Sequence, residues 1–316
     1  MQFYSCSSAF QRILAEVTPL QRYIAEEIAT DHLDGLLSRR EALRRLGLLG
    51  IGAAAAASLI AACGEAKQPP PATTPSAPPG PAEPPGLQNA LPTTPVSWPG
   101  PAGELKGAWA TAPEPRGAVL VIHENKGLTD HIRSVAGRFA GIGYSALAID
   151  LLSGQGGTEA FADPAAATAA LSRIEPPQLV ADLLSGVEEV QRRAPGRKVA
   201  AVGFCMGGGL VWRLLAAGTP ALAAAVPFYG PAPDDPDFVG SRGAAVLAFY
   251  GALDQRVNAS EPTVRAALER AGMVHELITE PDANHAFFND TGERYNPAAA
   301  TDAWRRIQDW FGVHLA

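Results

Sequence analysis

From residue 103 onward, the chain alternates short, uninterrupted apolar runs with longer amphipathic segments. The apolar runs are of the kind that a parallel sheet buries on both faces, and they lie at 118–123, 144–149, 199–204, 223–229, 245–250 and 275–279. Helical periodicity occupies 132–140, 178–193, 208–217, 264–271 and 299–311. Strands that alternate with helices favour a single α/β domain, residues 103–316, with a mainly parallel sheet flanked by helices and right-handed crossovers.

The preceding segment, residues 64–102, has the opposite character. Thirteen of the 28 prolines of the chain lie between residues 69 and 101, mixed with Ala, Thr, Ser and Gly. Such a composition provides few backbone donors and few large apolar side chains. We therefore predict that this segment is a solvated tether.

Residues 1–63 are typical of a targeting segment. Arg39 and Arg40 precede an uncharged stretch, 46–62, that is mostly Ala, Gly, Leu and Ile, which resembles a twin-arginine export signal. The stretch ends in Ile60-Ala61-Ala62-Cys63-Gly64, which resembles a bacterial lipobox with Cys63 as the lipid-bearing mature N-terminus. We expect the twin-arginine machinery to export the domain and a lipid at Cys63 to hold it at a membrane, in the periplasm or at the outer cell surface. A buried Ala-rich helix or an uncleaved membrane helix is the alternative, but neither explains the arginine pair.

Composition narrows the range of partners and cofactors. With 47% apolar and 18% charged residues, 316 residues are enough for a substantial core. The net charge is −7 and no basic tract is interleaved with aromatic residues, so we do not expect nucleic acid as a partner. The three cysteines lie far apart in sequence, and no glycine-rich nucleotide motif follows the first apolar run, so we predict neither a metal nor a cofactor.

A cysteine stands where one predicted strand turns into a helix. Gly203-Phe204-Cys205-Met206-Gly207 has the G-x-nucleophile-x-G pattern, with cysteine in the place of serine. Glycines flank the nucleophile because the turn is tight, and the helix N-terminus favours the thiolate form of the thiol. We therefore predict that Cys205 is a nucleophile, the alternative being an ordinary buried cysteine.

A nucleophile in such a turn requires an acid and then a histidine, each after a later strand. Asp254 follows the run 245–250, and His285 lies in the loop after 275–279. Asp282 is the alternative acid, but it lies in the same loop as His285. At the end of the first run, we interpret His123 as a packed histidine. We do not expect it to form a metal site with Glu124, because adjacent residues point to opposite faces of a strand and no third ligand is suitably spaced.

Together these motifs resemble those of dienelactone hydrolase, also called carboxymethylenebutenolidase, a family with the α/β-hydrolase fold. The resemblance extends from about residue 103 to the C-terminus. It rests on the cysteine turn, on Gly251-Ala252-Leu253-Asp254, on Asn284-His285-Ala286-Phe287 and on His123-Glu124-Asn125-Lys126-Gly127. It implies that Cys205 is the nucleophile, His285 the base and Asp254 the partner that orients it.

The resemblance also implies roles for the first loop. Glu124 would hold the thiol in the resting enzyme and help to release its proton when substrate arrives. The backbone N–H groups of Asn125 and Met206 would form the oxyanion hole. The expected reaction is hydrolysis of a small-molecule ester or lactone through a thioester.

One position departs from the family. The arginine that the family places shortly after its histidine, and that binds the substrate carboxylate, is replaced here by Asn289. Burying the carboxylate of a substrate without a cationic partner costs binding free energy. We therefore expect a preference for uncharged esters or lactones, with Phe287 and Phe288 as apolar contacts. If an anion is bound after all, the cations to consider are Lys126, Arg173 and Arg256.

Other functional classes remain open from the sequence. A thiol-dependent acyltransferase or peptidase would use the same triad. A hydrolase-like protein of the cell envelope that binds without catalysis is a further alternative, although such a protein is expected to lack a triad member.

Overall fold

The computed structural model describes residues 17–64 and 83–315, with the side chains of 61–64 excluded. Contacts divide this chain into two units, of which the larger comprises residues 83–160 and 177–315 and the smaller comprises 17–64 and 161–176. The helices, in chain order, are α1 Pro19–Leu33, α2 Arg39–Leu48, α3 Ala53–Gly64, α4 Asp130–Gly141, α5 Pro164–Leu171, α6 Pro176–Arg193, α7 Met206–Ala216, α8 Gln255–Asn258, α9 Glu261–Arg270 and α10 Pro297–His314.

The larger unit is built on one eight-stranded sheet. Its strands are β1 Thr94–Gly100, β2 Gly103–Ala110, β3 Gly117–Ile122, β4 Tyr144–Asp150, β5 Val199–Phe204, β6 Leu222–Phe228, β7 Ala245–Gly251 and β8 His275–Glu280, in the order β1-β2-β4-β3-β5-β6-β7-β8. The pairs from β4 to β8 are parallel, and β1 and β2 join antiparallel at one edge. The predicted fold class, an α/β domain with a mainly parallel sheet, is therefore confirmed.

The central strands are buried on both faces, as their unbroken apolar runs predict. Every residue of β3, β4, β5 and β7 is buried. Because these strands are parallel, their carboxyl ends meet at one edge of the sheet. The loops that follow β3, β5, β6, β7 and β8 therefore open on the same side, and they carry the predicted site.

The structure corrects the boundary predicted for the tether. Residues 94–100 form β1, which pairs with β2 along its whole length, so the ordered domain begins well before residue 103. Pro95 and Pro99 are compatible with a strand here because β1 is at the edge of the sheet, where a missing N–H costs no ladder bond. Trp98 is buried, and its Nε1 donates to Ser185 Oγ at 3.1 Å. The predicted tether residues 65–82 lie outside the described chain.

The smaller unit is helical. A capping box between Thr18 and Gln21 begins α1, and Ala42 and Leu46 of α2 are fully buried. Arg44 pairs with Asp163, which caps α5, at 2.7 Å. The apolar stretch predicted at 46–62 is divided between α2 and α3. In the described chain, no helix combines the length and the apolar character needed to cross a membrane. Export and lipidation are processing events, and they stay predictions.

Candidate active site

Cys205 occupies the turn between β5 and α7 in a strained backbone conformation. Its φ is 55° and its ψ −117°, values that a residue with a side chain rarely adopts. Its N–H donates to the carbonyl of Phe228 at 3.1 Å, which ties the turn to the end of β6. The residue is only 2% exposed. The strand-to-helix turn predicted from the glycine pattern is present in this form.

The glycines around Cys205 are required by close backbone contacts. A Cβ at Gly203 would lie 2.1 Å from the carbonyl oxygen of Gly207, and one at Gly207 would lie 2.4 Å from that of Ile122. A Cβ at Gly208 would lie 2.3 Å from the oxygen of Phe228. Real Cβ atoms do not approach this closely, so the helix after Cys205 packs directly on two neighbouring strands.

His285 and Asp254 form a buried pair beside the cysteine. The Nδ1–H of His285 donates to Asp254 Oδ2 at 2.6 Å, which leaves Nε2 to act as a base. A ring nitrogen of His285 lies within 4.8 Å of Cys205 Sγ. Asp282, the alternative acid, is exposed, and its carbonyl accepts from Asn296.

The electrostatics of the pair keep Asp254 ionised. Burial alone raises the pKa of Asp254, but the nearby charge and the hydrogen bond of His285 outweigh it, and the pKa lies below its ordinary value. An ionised Asp254 fixes the ring orientation and stabilises the imidazolium that forms when His285 takes a proton. The three residues of the predicted triad therefore lie together, with His285 between Asp254 and Cys205.

Glu124 lies at the end of β3 and is held by an amide. The Nδ2 of Asn289 donates to Glu124 Oε2 at 2.6 Å. The amide is itself oriented, because Asn289 Oδ1 accepts from the N–H and the hydroxyl of Thr291 at 3.0 and 2.7 Å. In the sequence, Asn289 stands out only where the resemblance implies an arginine, and this does not reveal that its side chain contacts Glu124.

His123 supports the same loop as a neutral histidine. Burial is the largest influence on the pKa of His123 and lowers it, because the ring is fully enclosed. Its Nδ1 donates to the carbonyl of Glu124 at 2.6 Å, and its Nε2 accepts from the N–H of Leu151 at 3.1 Å. Both ring nitrogens are therefore occupied, and His123 has the packed role that the sequence predicts.

A buried ion cluster anchors the loop that carries His285. Asp290 Oδ1 accepts from His131 Nδ1 and its Oδ2 accepts from Arg138 Nη2, both at 2.6 Å. Burial alone raises the pKa of Asp290, but these α4 partners hold it at about 2. Since Asn289 and His285 are close neighbours of Asp290 in the chain, the cluster fixes the positions of both. No motif in the sequence indicates this anchor.

Tyr229 is a further residue that the sequence analysis missed. It directly follows β6 with a φ of 35°, and it is fully buried. Its ring packs edge-on against the His285 ring, with centroids 5.2 Å apart. The available signal was its position, since it is a polar aromatic residue after a buried strand on the edge that carries Cys205 and Asp254.

The remaining predicted residues have mixed outcomes. Met206 is the first residue of α7, and Asn125, which follows Glu124 after the end of β3, is buried. The oxyanion hole at their N–H groups stays a prediction. Phe288 stacks on Phe204 at 5.4 Å, and Phe287 packs against Tyr229 at 5.3 Å. Both phenylalanines are at most 1% exposed, so their contacts are those of core residues rather than of a pocket lining.

Known proteins resemble this chain from about residue 105 onward. A family model described as the dienelactone hydrolase family matches residues 105–315. A protein of Escherichia coli O157:H7, provisionally named a carboxymethylenebutenolidase, is 35% identical over 209 residues, which cover 62% of this chain and 77% of that protein. A relative from Saccharolobus solfataricus with the same provisional name is 30% identical over 242 residues, covering 66% of this chain and 93% of its own.

Two crystal structures extend the comparison. A provisionally assigned dienelactone hydrolase from Klebsiella pneumoniae superposes with a TM-score of 0.61 at 29% identity, covering 70% of this chain and 99% of its own. A dienelactone hydrolase-like promiscuous phosphotriesterase from metagenomic libraries superposes with a TM-score of 0.63 at 25% identity, covering 72% and 100%.

Proposed function

Because the chain belongs to the dienelactone hydrolase family and is a hydrolase of carboxylic esters or lactones, we propose that it acts through a Cys205 nucleophile and a thioester intermediate. The observation that carries this proposal is the buried triad, in which His285 is bonded to Asp254 at 2.6 Å and faces Cys205 in its strained turn. A strained nucleophile beside an oriented base is the arrangement that acyl transfer requires.

In the first half of the reaction, Glu124 helps the Cys205 thiol to release its proton, which reaches His285 Nε2. The thiolate attacks the carbonyl carbon, and the N–H groups of Asn125 and Met206 stabilise the oxyanion. His285 then gives its proton to the leaving oxygen as the carbon–oxygen bond breaks. In a lactone, the leaving alcohol stays attached to the acyl group that Cys205 now carries.

In the second half, water replaces the sulfur. His285 removes a proton from water as the water oxygen attacks the thioester carbon. The tetrahedral intermediate collapses and expels the Cys205 thiolate, which recovers a proton, and the free acid is released. For a lactone, one hydroxy- or oxo-acid is the only product.

The direct test of this function is turnover of small aryl esters and lactones by active-site variants. We expect Cys205→Ala to lower kcat by at least about a thousandfold with an unchanged melting temperature. His285→Ala should do comparable damage, and the double variant should be little worse than either single one, since triad members act as a unit. Wild-type turnover by Cys205→Ala would exclude the assignment.

The substrate is proposed to be uncharged. Asn289 provides no positive charge, and its amide is already bonded to Glu124. Of the cations considered from the sequence, Arg173 donates to the carbonyl of Leu48 within the smaller unit. We expect kcat/KM for a neutral lactone to exceed that for an anionic dienelactone of similar size. A tenfold preference for the anion would show that the site has a cation that this account overlooks.

The protein is proposed to work outside the cytoplasm, anchored through a lipid at Cys63. The support is the sequence of the leader, in which Arg39 and Arg40 precede an uncharged stretch that ends at a lipobox-like cysteine. If Cys6 is removed with the leader and Cys63 carries the lipid, Cys205 is the one thiol left in the exported domain, where an unused thiol is exposed to oxidation. A retained cysteine at the nucleophile position is consistent with a thiol kept for catalysis.

A further inference from the structure

Tyr229 is held beside the nucleophile by backbone contacts that leave little freedom. Its N–H donates to the carbonyl of Phe249 at 2.7 Å. The next residue, Gly230, lies so close to α7 that a Cβ there would be 2.1 Å from the backbone nitrogen of Gly209. The strained φ of Tyr229 therefore has a structural cause, and it fixes the direction of the side chain.

The hydroxyl of Tyr229 is buried and makes no hydrogen bond of normal geometry with any residue that the structure describes. Burial, first, and then the negative charges of Glu124 and Cys205 raise its pKa well above the ordinary value, while the nearby Phe288 amide opposes this only weakly. The phenol therefore keeps its proton at neutral pH. It is a buried hydrogen-bond donor whose ring packs against His285 and which lies within electrostatic range of Glu124 and Cys205.

Two other atoms of the site are buried without a partner in the described chain, Glu124 Oε1 and His285 Nε2. Their companion atoms are occupied, because Asn289 donates to Glu124 Oε2 and Asp254 accepts from His285 Nδ1. The site thus offers one donor, the Tyr229 hydroxyl, and two acceptors, the carboxylate oxygen and the imidazole nitrogen. Buried water usually satisfies about three such groups.

We propose that Tyr229, Glu124 and His285 together bind the water that hydrolyses the thioester. This inference rests on the proposed function and deepens it. The water donates one hydrogen bond to His285 Nε2 and one to Glu124 Oε1, and it accepts one from Tyr229. In the reaction, its oxygen bonds to the thioester carbon, one of its protons passes to His285, and the carbon–sulfur bond breaks to release the thiolate. Tyr229 keeps its proton throughout and orients the attacking oxygen.

The test is Tyr229→Phe, which removes the hydroxyl and keeps the ring on His285. Acylation does not use the water, whereas deacylation does. With p-nitrophenyl acetate, we expect the burst of p-nitrophenol to change less than twofold, and the decay of the acyl group on Cys205, followed by intact mass, to slow about tenfold. The acyl-enzyme should accumulate, so kcat and KM fall together and kcat/KM stays nearly constant.

Tyr250→Phe is the matched control. Its hydroxyl is also buried without a partner in the described chain, and burial raises its pKa above the ordinary value, as it does for Tyr229. The charges that face it are those of Glu261 and Arg265 rather than those of the catalytic groups. Removal of this hydroxyl should leave both the burst and the decay at wild-type values.

The outcomes separate this inference from the proposed function. If wild-type enzyme acquires no acyl group on Cys205, the proposed function fails. If wild-type enzyme acquires the acyl group but Tyr229→Phe slows acylation as much as deacylation, or deacylates at the wild-type rate, the water site is wrong. The assignment of Cys205 as the nucleophile would then stand. A melting temperature equal to that of Tyr250→Phe excludes a general loss of structure as the cause.

Discussion

Asn289 holds Glu124 in place without neutralising it. The amide donates at 2.6 Å, and Glu124 takes part in no ion pair in the chain that the structure describes. A neutral donor fixes the carboxylate but leaves its charge available to the thiol and to water. An arginine at the same position would bind the carboxylate more strongly and would also attract an anionic substrate. Asn289 therefore contributes to the geometry of the site, and under the proposed function it also favours an uncharged substrate.

Two substitutions at Asn289 separate orientation from charge. Asn289→Leu removes the donor, and we expect kcat to fall about tenfold at every pH. Asn289→Asp places two carboxyl groups in contact, so one pKa of the pair rises and they share a proton at low pH. Its activity relative to wild type should therefore decline as pH rises. Labelling by iodoacetamide across the same pH range reports whether the reactivity of the Cys205 thiol changes in parallel with the activity.

Thr291→Val provides the graded control. It removes the hydroxyl that orients the amide and keeps the backbone N–H donor to the same oxygen. We expect kcat to fall less than in Asn289→Leu, and its pH dependence to match that of wild type. Identical profiles for all the variants and wild type would mean that Glu124 needs no orientation from Asn289.

Sequence pattern predicts Cys205, Asp254 and His285 because each follows a strand, and the carboxyl ends of parallel strands meet. Pattern does not predict the Tyr229 hydroxyl or the Asn289 amide, since their roles depend on where the side chains point. Gly230, which follows Tyr229, packs against Gly208 and Gly209 of α7, and the positive φ of Tyr229 accompanies this tertiary contact. No local composition encodes such a contact.

The loop between β8 and α10 brings His285 to the site, and it is anchored to α4. Asp290 binds His131 and Arg138, whose side chains are 2% and 1% exposed. Both partners lie on the helix that follows the Glu124 loop. The anchor therefore ties the histidine loop to the carboxylate loop through one buried cluster.

Asp290→Asn should weaken this anchor. Removing the charge leaves a buried guanidinium uncompensated, and we expect the free energy of unfolding at pH 7 to fall by about 3 to 5 kcal/mol. Because the pKa of Asp290 is lowered to about 2, its contribution is present above the unfolded value near 4 and is lost as pH falls through 2. The difference between variant and wild type in urea unfolding should shrink over that range.

Asp309→Asn is the matched control for this charge removal. Asp309 pairs with Arg305 at 3.2 Å, but the two side chains are 71% and 59% exposed. Exposed pairs contribute little to stability, so the unfolding free energy should be nearly unchanged. An equal loss of unfolding free energy in both variants would show that burial does not make the Asp290 cluster more stabilising than an exposed ion pair.

The edge strands show where pattern reasoning fails for elements. β1 contains two prolines and lies in a proline-rich composition, and β2 is separated from it by only two residues. Their pairing depends on the β4 edge that receives β2, in antiparallel register. An edge strand tolerates proline, so composition alone does not distinguish it from a tether.

The molecule combines a hydrolase unit, whose strands β3 to β8 the sequence predicts, with a helical unit that it does not predict. The sequence predicts that residues 1–63 are a targeting segment, and that prediction says nothing about the packing of α1 and α2. Thr18 and Ser38 are helix caps that a local reading recognises. Which apolar faces meet is set by tertiary contacts.

The location of the protein is testable by fractionation of cells that express the full chain. Replacing Arg39 and Arg40 with lysine should leave the precursor inside the cell. Cys63→Ala should release the domain from the membrane fraction or block its processing. A wild-type protein recovered wholly in the cytoplasm, with Met1 intact, would contradict the export proposal and leave the catalytic one untouched.

The thioester on Cys205 is the measurement that decides the mechanism. Wild-type enzyme is mixed with excess aryl ester, quenched in acid during turnover, and examined by intact and peptide mass. We predict one acyl group on the peptide that contains Cys205, removed by neutral hydroxylamine as a thioester is, and absent in Cys205→Ala. An acyl group on another residue, or undiminished turnover in Cys205→Ala, would contradict the account.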